Sequence, residues 1–375
     1  MAKNGRFQSS PPKKKGLRIF LITLLVPLLI LGSCLAGGTI YYNSMLNLIT
    51  RPTPTEREVT DQDLEAILGY VPEKQEAAAQ IEETLPPLPS AAADRGNNDN
   101  ILNIMLIGQN FRKGEEHKLS DTLILCSINK ETNTVTLTSF LRDMYVKLPD
   151  YQDRRCGWNR INVAYNLGWF WNGELGGMEM LDMLMLETFG VEVDYNIEIG
   201  FETFKQIIDI MGGVDIELTA AEAAGINSSQ NVSGTYHSGM NLLKGDAALC
   251  YVRTRNSTAG DNDFNRTARQ RKLMISMLNK CKTLSAGELN TLLQEVLPLI
   301  ITDMSNAEIT ACAVNLLPML KDLTVETQQI PAEGTYQLTM VKLGSQDASV
   351  IKFDLESNRA IVMEIAEGIL PEPKE

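Results

Sequence analysis

Arg253, Arg255, Arg266, Arg269 and Arg271 crowd into the stretch YVRTRNSTAGDNDFNRTARQRKL, in a chain whose formal net charge is -13. Guanidinium forks are planar, permanently charged and bidentate, which suits them to phosphate oxygens. The spacing predicts a strand ending in ALCYVRT, with Arg253 and Arg255 at i and i+2 on one face, and a following helix with Arg266 and Gln270 at i and i+4 on one face. Two elements can then converge on one anion, and the helix start beside Asp263 adds amide donors. The alternative is a solvated charged helix face.

Two further groups could join such a site. Asp121, in LSDTLIL, opens a strand; a carboxylate beside a phosphate is a natural Mg²⁺ ligand, although Ser-Asp-Thr is also a plain turn signal. Arg142 and Asp143 follow the apolar run TVTLTSF, where they either pair with each other or turn Arg142 toward the anion. Arg160 and Asn162 open a helix and could supply donors. The chain lacks a Walker A loop, an HExxH or GxSxG motif, and a histidine placed for a triad, so phosphate chemistry here is not of the P-loop kind.

The elements that must position these residues follow from hydrophobic pattern. After Asn100, ILNIMLIG, DTLILCSIN, TVTLTSF, YNIEIG, VDIEL and ALCYVRT read as strands. GGMEMLDMLMLETFG, FETFKQIIDIMGG and DFNRTARQRKLMISMLNKCKTL read as helices. Strands mixed with helices imply a layered α/β domain with a central sheet. The methionines Met178, Met180, Met183 and Met185, after Trp169, Phe170 and Trp171, suit either a core-packing helix or an adaptable apolar slot.

Ahead of the domain, Lys13, Lys14, Lys15 and Arg18 flank an apolar run over 17–42, long enough to cross a hydrocarbon core of roughly 30 Å. The basic cluster puts residues 1–16 in the cytoplasm and the rest outside. A cleaved signal peptide, or a lipoprotein signal ending at Cys34, are rival readings of the same run that keep the bulk external. Residues 43–100 are polar and proline-bearing and read as a stalk, and 101–370 as the domain. A hydrophobic fraction of 44% is that of a globular protein. The acidic balance and external placement exclude nucleic acid as a partner. Of six cysteines, Cys34 lies in the run and an odd five remain without a CxxC, so at least one of those is unpaired and Cys126 and Cys250 read as small core residues.

In this order, NIMLIGQN, SDTLILCSINKETNTVTLTSFLRDMYV, RINVAYNLG, GFETFKQIIDIMGGVDIEL, GMNLLKGDAALCYVRTRN and DNDFNRTARQRKL resemble the LytR-CpsA-Psr family of cell-wall proteins. The resemblance implies a three-layer α/β/α domain with a central mixed sheet behind one membrane span. It implies a Mg²⁺-assisted phosphotransferase that attaches a polyprenyl-pyrophosphate-linked anionic glycopolymer, of teichoic acid or capsule type, to peptidoglycan at the cell membrane. Carried onto this chain, Asp121, Arg142 and Arg255 become the catalytic set. Arg142, Arg160, Arg253, Arg255, Arg266 and Gln270 hold the pyrophosphate, and Asp121 and Asn110 hold the metal. Two positions depart from the family pattern, which has Asp at Asn110 and Arg at Leu119. An Asn carbonyl can still ligate Mg²⁺ with one negative charge fewer, and Lys118 offers a point charge. These departures leave room for a nonenzymatic lipid-pyrophosphate-binding protein, or a phosphatase of the same lipid, as alternatives.

Overall fold

The computed structural model describes residues 44–55, 57–70, 100–109, 120–150, 155–254, 263–281, 283, 285–316 and 323–368. The predicted span, Cys34, Asn110, Lys118, Leu119 and Arg255 lie outside the described residues. The near-continuous apolar runs form β1 (Ile101–Gln109) and β2 (Ser120–Asn129), the middle of a sheet covered on both faces. A tight turn leads to β3 (Thr134–Phe140), with Asn129 Oδ1 accepting from the amides of Glu131 and Thr132 and Asn133 at φ 55. With β6 (Tyr195–Gly200), β9 (Ile301–Thr302) and β10 (Thr324–Ile330), the sheet has the order β10-β3-β2-β1-β6-β9.

The β1/β6 and β3/β10 pairs are parallel, while β1/β2, β2/β3 and β6/β9 are antiparallel, so the sheet is mixed, as expected. In consequence β1, β3, β6 and β10 all finish at the end of the sheet where β2 begins. Ligands of open α/β sheets gather outside such strand ends.

Alternation along the strands feeds two cores. Ile104, Ile124, Cys126 and Leu137 join α3 (Phe201–Ile210), α5 (Gly245–Arg253) and α6 (Asp263–Cys281) in one cluster. Met105, Ile107, Leu123 and Leu125 join α2 (Asn162–Leu184) and α9 (Leu355–Glu367) in the other. Helices therefore lie on both faces. Three of the predicted methionines, Met178, Met180 and Met185, are buried with Trp171 in the second cluster, and Met183, Trp169 and Phe170 are only partly buried.

Inside α2 the backbone leaves helical geometry at Asn172 and Gly173. The two halves touch through glycines: a Cβ on Gly168 would stand 2.0 Å from the Gly176 carbonyl oxygen and 2.7 Å from Met180 Cβ. Backbone cannot retreat as a side-chain tip can. Gly168→Ala is therefore expected to destabilise the fold by about 2–3 kcal/mol, visible as a lowered midpoint in thermal unfolding. An unchanged midpoint would mean that the two halves of α2 do not meet there.

Three expectations need correction or completion. ALCYVRT is a helix, the C-terminal part of α5: its buried residues Ala247, Ala248, Tyr251 and Val252 follow a helical period, which a short apolar window does not distinguish from a strand. Arg253 thus ends a helix rather than a strand, and Cys250 is helical. The stretch read as a stalk is in part built into the domain, because Met45, Leu46 and Ile49 are buried in the first core. Val59, Leu64, Leu68 and Tyr70 are buried in the second, the middle pair on α1 (Asp61–Leu68), whose start Thr60 and Asp63 close as a capping box. Its polar composition had masked a sparse apolar face. Beyond β10, a hairpin of β11 (Tyr336–Leu343) and β12 (Gln346–Phe353) lies in the weaker tail that the sequence did not resolve into elements. Cys126, Cys156, Cys250 and Cys312 are free thiols.

Candidate functional site

Asp121 is the second residue of β2, and Arg142 lies two residues past the end of β3. The antiparallel register Leu123↔Phe140 brings the two together. Arg142 Nη1 donates to Asp121 Oδ1 at 3.0 Å, and its Nε lies 3.5 Å from Asp143 Oδ2. Asp143 also faces Arg160 Nε at 3.6 Å. Of the alternatives read from the sequence, the pairing of Arg142 with Asp143 is present, and the pair belongs to a larger group of charges. Arg160 ends β5 (Trp158–Arg160), which pairs with β4 (Tyr145–Lys147), and its guanidinium donates to the Ser349 carbonyl at 3.1 and 2.9 Å. From the other core, Arg266 of α6 reaches the Asp121 carbonyl oxygen at 3.4 Å. Gln270 stands one turn further along α6, and both side chains are buried.

Arg142, Arg160, Arg266, Gln270 and Asp121 are thus gathered at the strand ends from four separate stretches: β2, the segment after β3, β5 and α6. Arg253 is exposed, with its guanidinium 4.6 Å from the centroid of the Phe201 ring. Phe201 follows Gly200, which pairs with Gln109, so Arg253 stands at the same end of the sheet. Arg269, from the same sequence cluster, does a different job. Its Nε donates to the Tyr251 carbonyl at 3.1 Å and its Nη2 to that of Thr254, tying the C-terminus of α5 to α6. Such carbonyls lack intrahelical partners and favour a cation.

Sequence reasoning missed Gln109. It is 1% exposed at the end of β1, opposite Ser120, and among the described residues neither amide atom of its side chain has a hydrogen-bond partner. Gln270 Oε1 and Asn162 Oδ1 are likewise buried without one. The one available signal was a glutamine closing a largely apolar strand.

A Mg²⁺ that bridges phosphate oxygens needs only one or two protein carboxylates, with substrate and water completing its shell. Asp121 fits that limited role, having a side chain 17% exposed and only one carboxylate oxygen engaged by Arg142. Among the described residues no three acidic, His or Cys groups converge as a self-sufficient metal cage.

A second polar network lies under β6, away from these arginines. The Asn196 amide donates to Asp182 Oδ1 at 3.1 Å and to Asp303 Oδ2 at 2.9 Å, and Tyr165 donates its hydroxyl to Glu198. Burial pushes the Asp182 carboxyl up to about 7, against the opposing effect of the Asn196 hydrogen bond. The folded state then holds a proton that the unfolded chain releases near the ordinary carboxylate pKa of about 4. Stability from this group is full below about pH 4 and declines as pH rises toward 7, by at most about 1.4 kcal/mol per pH unit. Asp182→Asn should flatten that decline in urea titrations run between these pH values; an unaltered slope would mean that Asp182 ionises normally.

Comparison with known proteins places the architecture. The solved structure of gbs0355 from Streptococcus agalactiae superposes with a TM-score of 0.57 at 21% identity, covering 77% of this chain and 94% of that one. A structure titled TagT bound to LI-WTA superposes with a TM-score of 0.55 at 20% identity, covering 74% and 94%. One titled YwtF (TagT) with bound octaprenyl pyrophosphate lipid gives 0.51 at 19% identity, covering 74% and 94%. Among curated sequences, the polyisoprenyl-teichoic acid–peptidoglycan teichoic acid transferase TagU of Oceanobacillus iheyensis is 32% identical over 192 residues, 50% of this chain and 55% of that protein. The TagU of Bacillus subtilis is 27% identical over 190 residues, 51% and 55%. The chain thus spans little more than half the length of these relatives. The sequence model of the LytR_cpsA_psr family matches residues 68–356, most of the chain and every described residue of the arginine site, and the protein belongs to that family.

Proposed function

We propose that this protein is a phosphotransferase anchored in the cell membrane by residues 17–42, with its domain outside, that moves a polyprenyl-pyrophosphate-linked anionic glycopolymer onto a peptidoglycan hydroxyl. The observation that carries the reading is the meeting of three arginines at the strand ends, Arg142 on the Asp121 carboxylate, Arg266 at the Asp121 backbone carbonyl and Arg160 at Asp143, which Arg142 also faces. Several arginines beside so few acids, in a chain of net charge -13, suit a compact dianion such as a lipid pyrophosphate.

In this reading Arg142, Arg160 and Arg266, with Arg253 and Arg255, hold the pyrophosphate oxygens. Gln270 adds an amide, and the unsatisfied amides of Gln109 and Asn162 gain hydrogen-bond partners when polar substrate fills the site. Asp121, with Asn110, would hold a Mg²⁺, which when bound would supply positive charge to phosphate oxygens. The acceptor oxygen forms a bond to the phosphorus that carries the glycan, while the bond from that phosphorus to the bridging oxygen breaks. Lipid phosphate leaves with that electron pair, and the acceptor proton passes to solvent. The arginines neutralise charge on the leaving phosphate and fix the two reactants in line, so catalysis rests on positioning and electrostatics.

The test incubates the full-length chain with a short prenyl-pyrophosphate glycan, Mg²⁺ and peptidoglycan fragments. Glycan joined to peptidoglycan with release of lipid phosphate is expected. Release of free glycan phosphate would make the protein a phosphatase, and tight binding without turnover would make it a nonenzymatic binder. Protease added to intact protoplasts should remove the domain; protection would overturn the topology.

A further inference from the structure

The described residues expose few large apolar side chains: Leu48, Leu186, Met240, Leu242, Leu338 and Met340. Leu338 and Met340 are 67% and 62% exposed, and at i and i+2 they share one face of β11. Exposed Lys342 continues that face. The hairpin is not remote from the site. It follows the end of β10, and Ile351 of β12 donates its amide to the Asp143 carbonyl at 2.8 Å. Arg160 holds the Ser349 carbonyl, and Tyr336 stacks on Phe264 at the start of α6 with centroids 4.5 Å apart.

The N-terminal segment reaches the same end of the sheet. Thr50 bridges Ile301 in parallel, and Ile301 pairs with Glu198 in antiparallel register. Residues before Thr50 therefore lie toward the end of β6 where Gly200 meets Gln109. Met45 and Leu46 are already buried in the first core, so almost no chain separates the apolar run ending at residue 42 from the fold. Leu48, 45% exposed, projects from this segment. If the run over 17–42 crosses a membrane, so short a tether brings the strand-end side of the domain to the bilayer.

We propose that the β11–β12 hairpin is a membrane-docking element, which sets Leu338 and Met340 into the interfacial layer of the bilayer, while the Leu48 segment reaches the same strand-end side at the opposite edge of the sheet, and so places the arginine site at headgroup height. This rests on the anchored reading of residues 17–42. Apolar side chains inserted at that depth gain from leaving water, and Lys342 can extend its ammonium to anionic headgroups. A pyrophosphate attached to a prenyl chain would then meet the arginines without leaving its leaflet.

The experiment places a photoreactive residue singly at position 340, at 240 or at 29 in the full-length chain, reconstituted in vesicles of phosphatidylglycerol and phosphatidylethanolamine, and scores lipid adducts by mass spectrometry. Position 240 is equally exposed but lies on β8 (Gly239–Leu243), which pairs with β7 (Val214–Leu218) alongside α6. Adducts at 340 and 29, with few at 240, are expected. Adducts at 29 alone, equal labelling of 340 and 240, or chain-to-chain cross-links at 340 in place of lipid would each overturn the docking proposal while leaving the anchor. Absence at both 29 and 340 would overturn the anchor and the docking together, and adducts at 340 without 29 would support docking while removing the anchor. The variant Leu338→Ser/Met340→Ser should raise the KM for a long-chain donor embedded in vesicles by roughly tenfold, and leave that for a short water-soluble donor unchanged. Equal effects on both donors would assign these side chains to the fold and sink the proposal.

Discussion

Arg142→Ala is expected to weaken binding of a prenyl pyrophosphate by about 2–5 kcal/mol, a loss of roughly thirty-fold to several thousand-fold, while the domain stays folded. Arg142 lies between two carboxylates, Asp121 and Asp143, with its side chain only 21% exposed. Removing it deletes a charge-assisted contact and leaves both acids facing an incoming anion, so attraction turns locally to repulsion. Arg142→Lys should recover only part of the loss, because an ammonium restores the charge without the fork that spans Asp121 and a phosphate together. Calorimetry on folded protein decides the matter. A change within twofold would return Arg142 to the class of surface ion pairs, which contribute about 0–1 kcal/mol, and the site would have to lie elsewhere.

Asp121→Asn should cut transfer by roughly a hundred-fold to a thousand-fold and should raise the Mg²⁺ concentration needed for half-maximal rate. The second effect separates two roles. If Asp121 serves only to hold Arg142, the asparagine oxygen can still accept from Nη1, and Mg²⁺ dependence should stay as in the wild type. If it also binds the metal, the dependence shifts, and Asn110→Asp should shift it the other way by adding a carboxylate at the far end of the β1–β2 connection. The measurement is the rate against Mg²⁺ for the wild type, Asn110→Asp and Asp121→Asn. Identical curves would remove the metal from this site, and an inactive wild type rescued by Asn110→Asp would favour a binding role for the natural protein.

Much of this was legible in the residues alone. The apolar runs of β1, β2 and β3 read as covered strands, and the structure builds them so. The order of motifs resembles one family, which the family match bears out. These features are local, because alternation, charge and spacing are read within a dozen residues.

Tertiary structure decided what each residue does. Arg266 and Arg269 are three positions apart on one helix, yet one reaches the Asp121 carbonyl and the other holds the end of α5. Nothing in their spacing separates a guanidinium that reaches the strand ends from one that ties two helices; only the strand register and the seat of α6 do. ALCYVRT chose helix over strand because its buried face meets α3 and α6, a preference set by packing rather than by its short pattern. Met45, Leu46 and Ile49 looked like part of a spacer until a core formed around them. The sequence determined that arginines gather in an acidic chain and that an apolar run precedes the domain; the fold alone set Asp121, Arg142 and Arg266 at one end of the sheet, because β1, β3, β6 and β10 run parallel and must finish together.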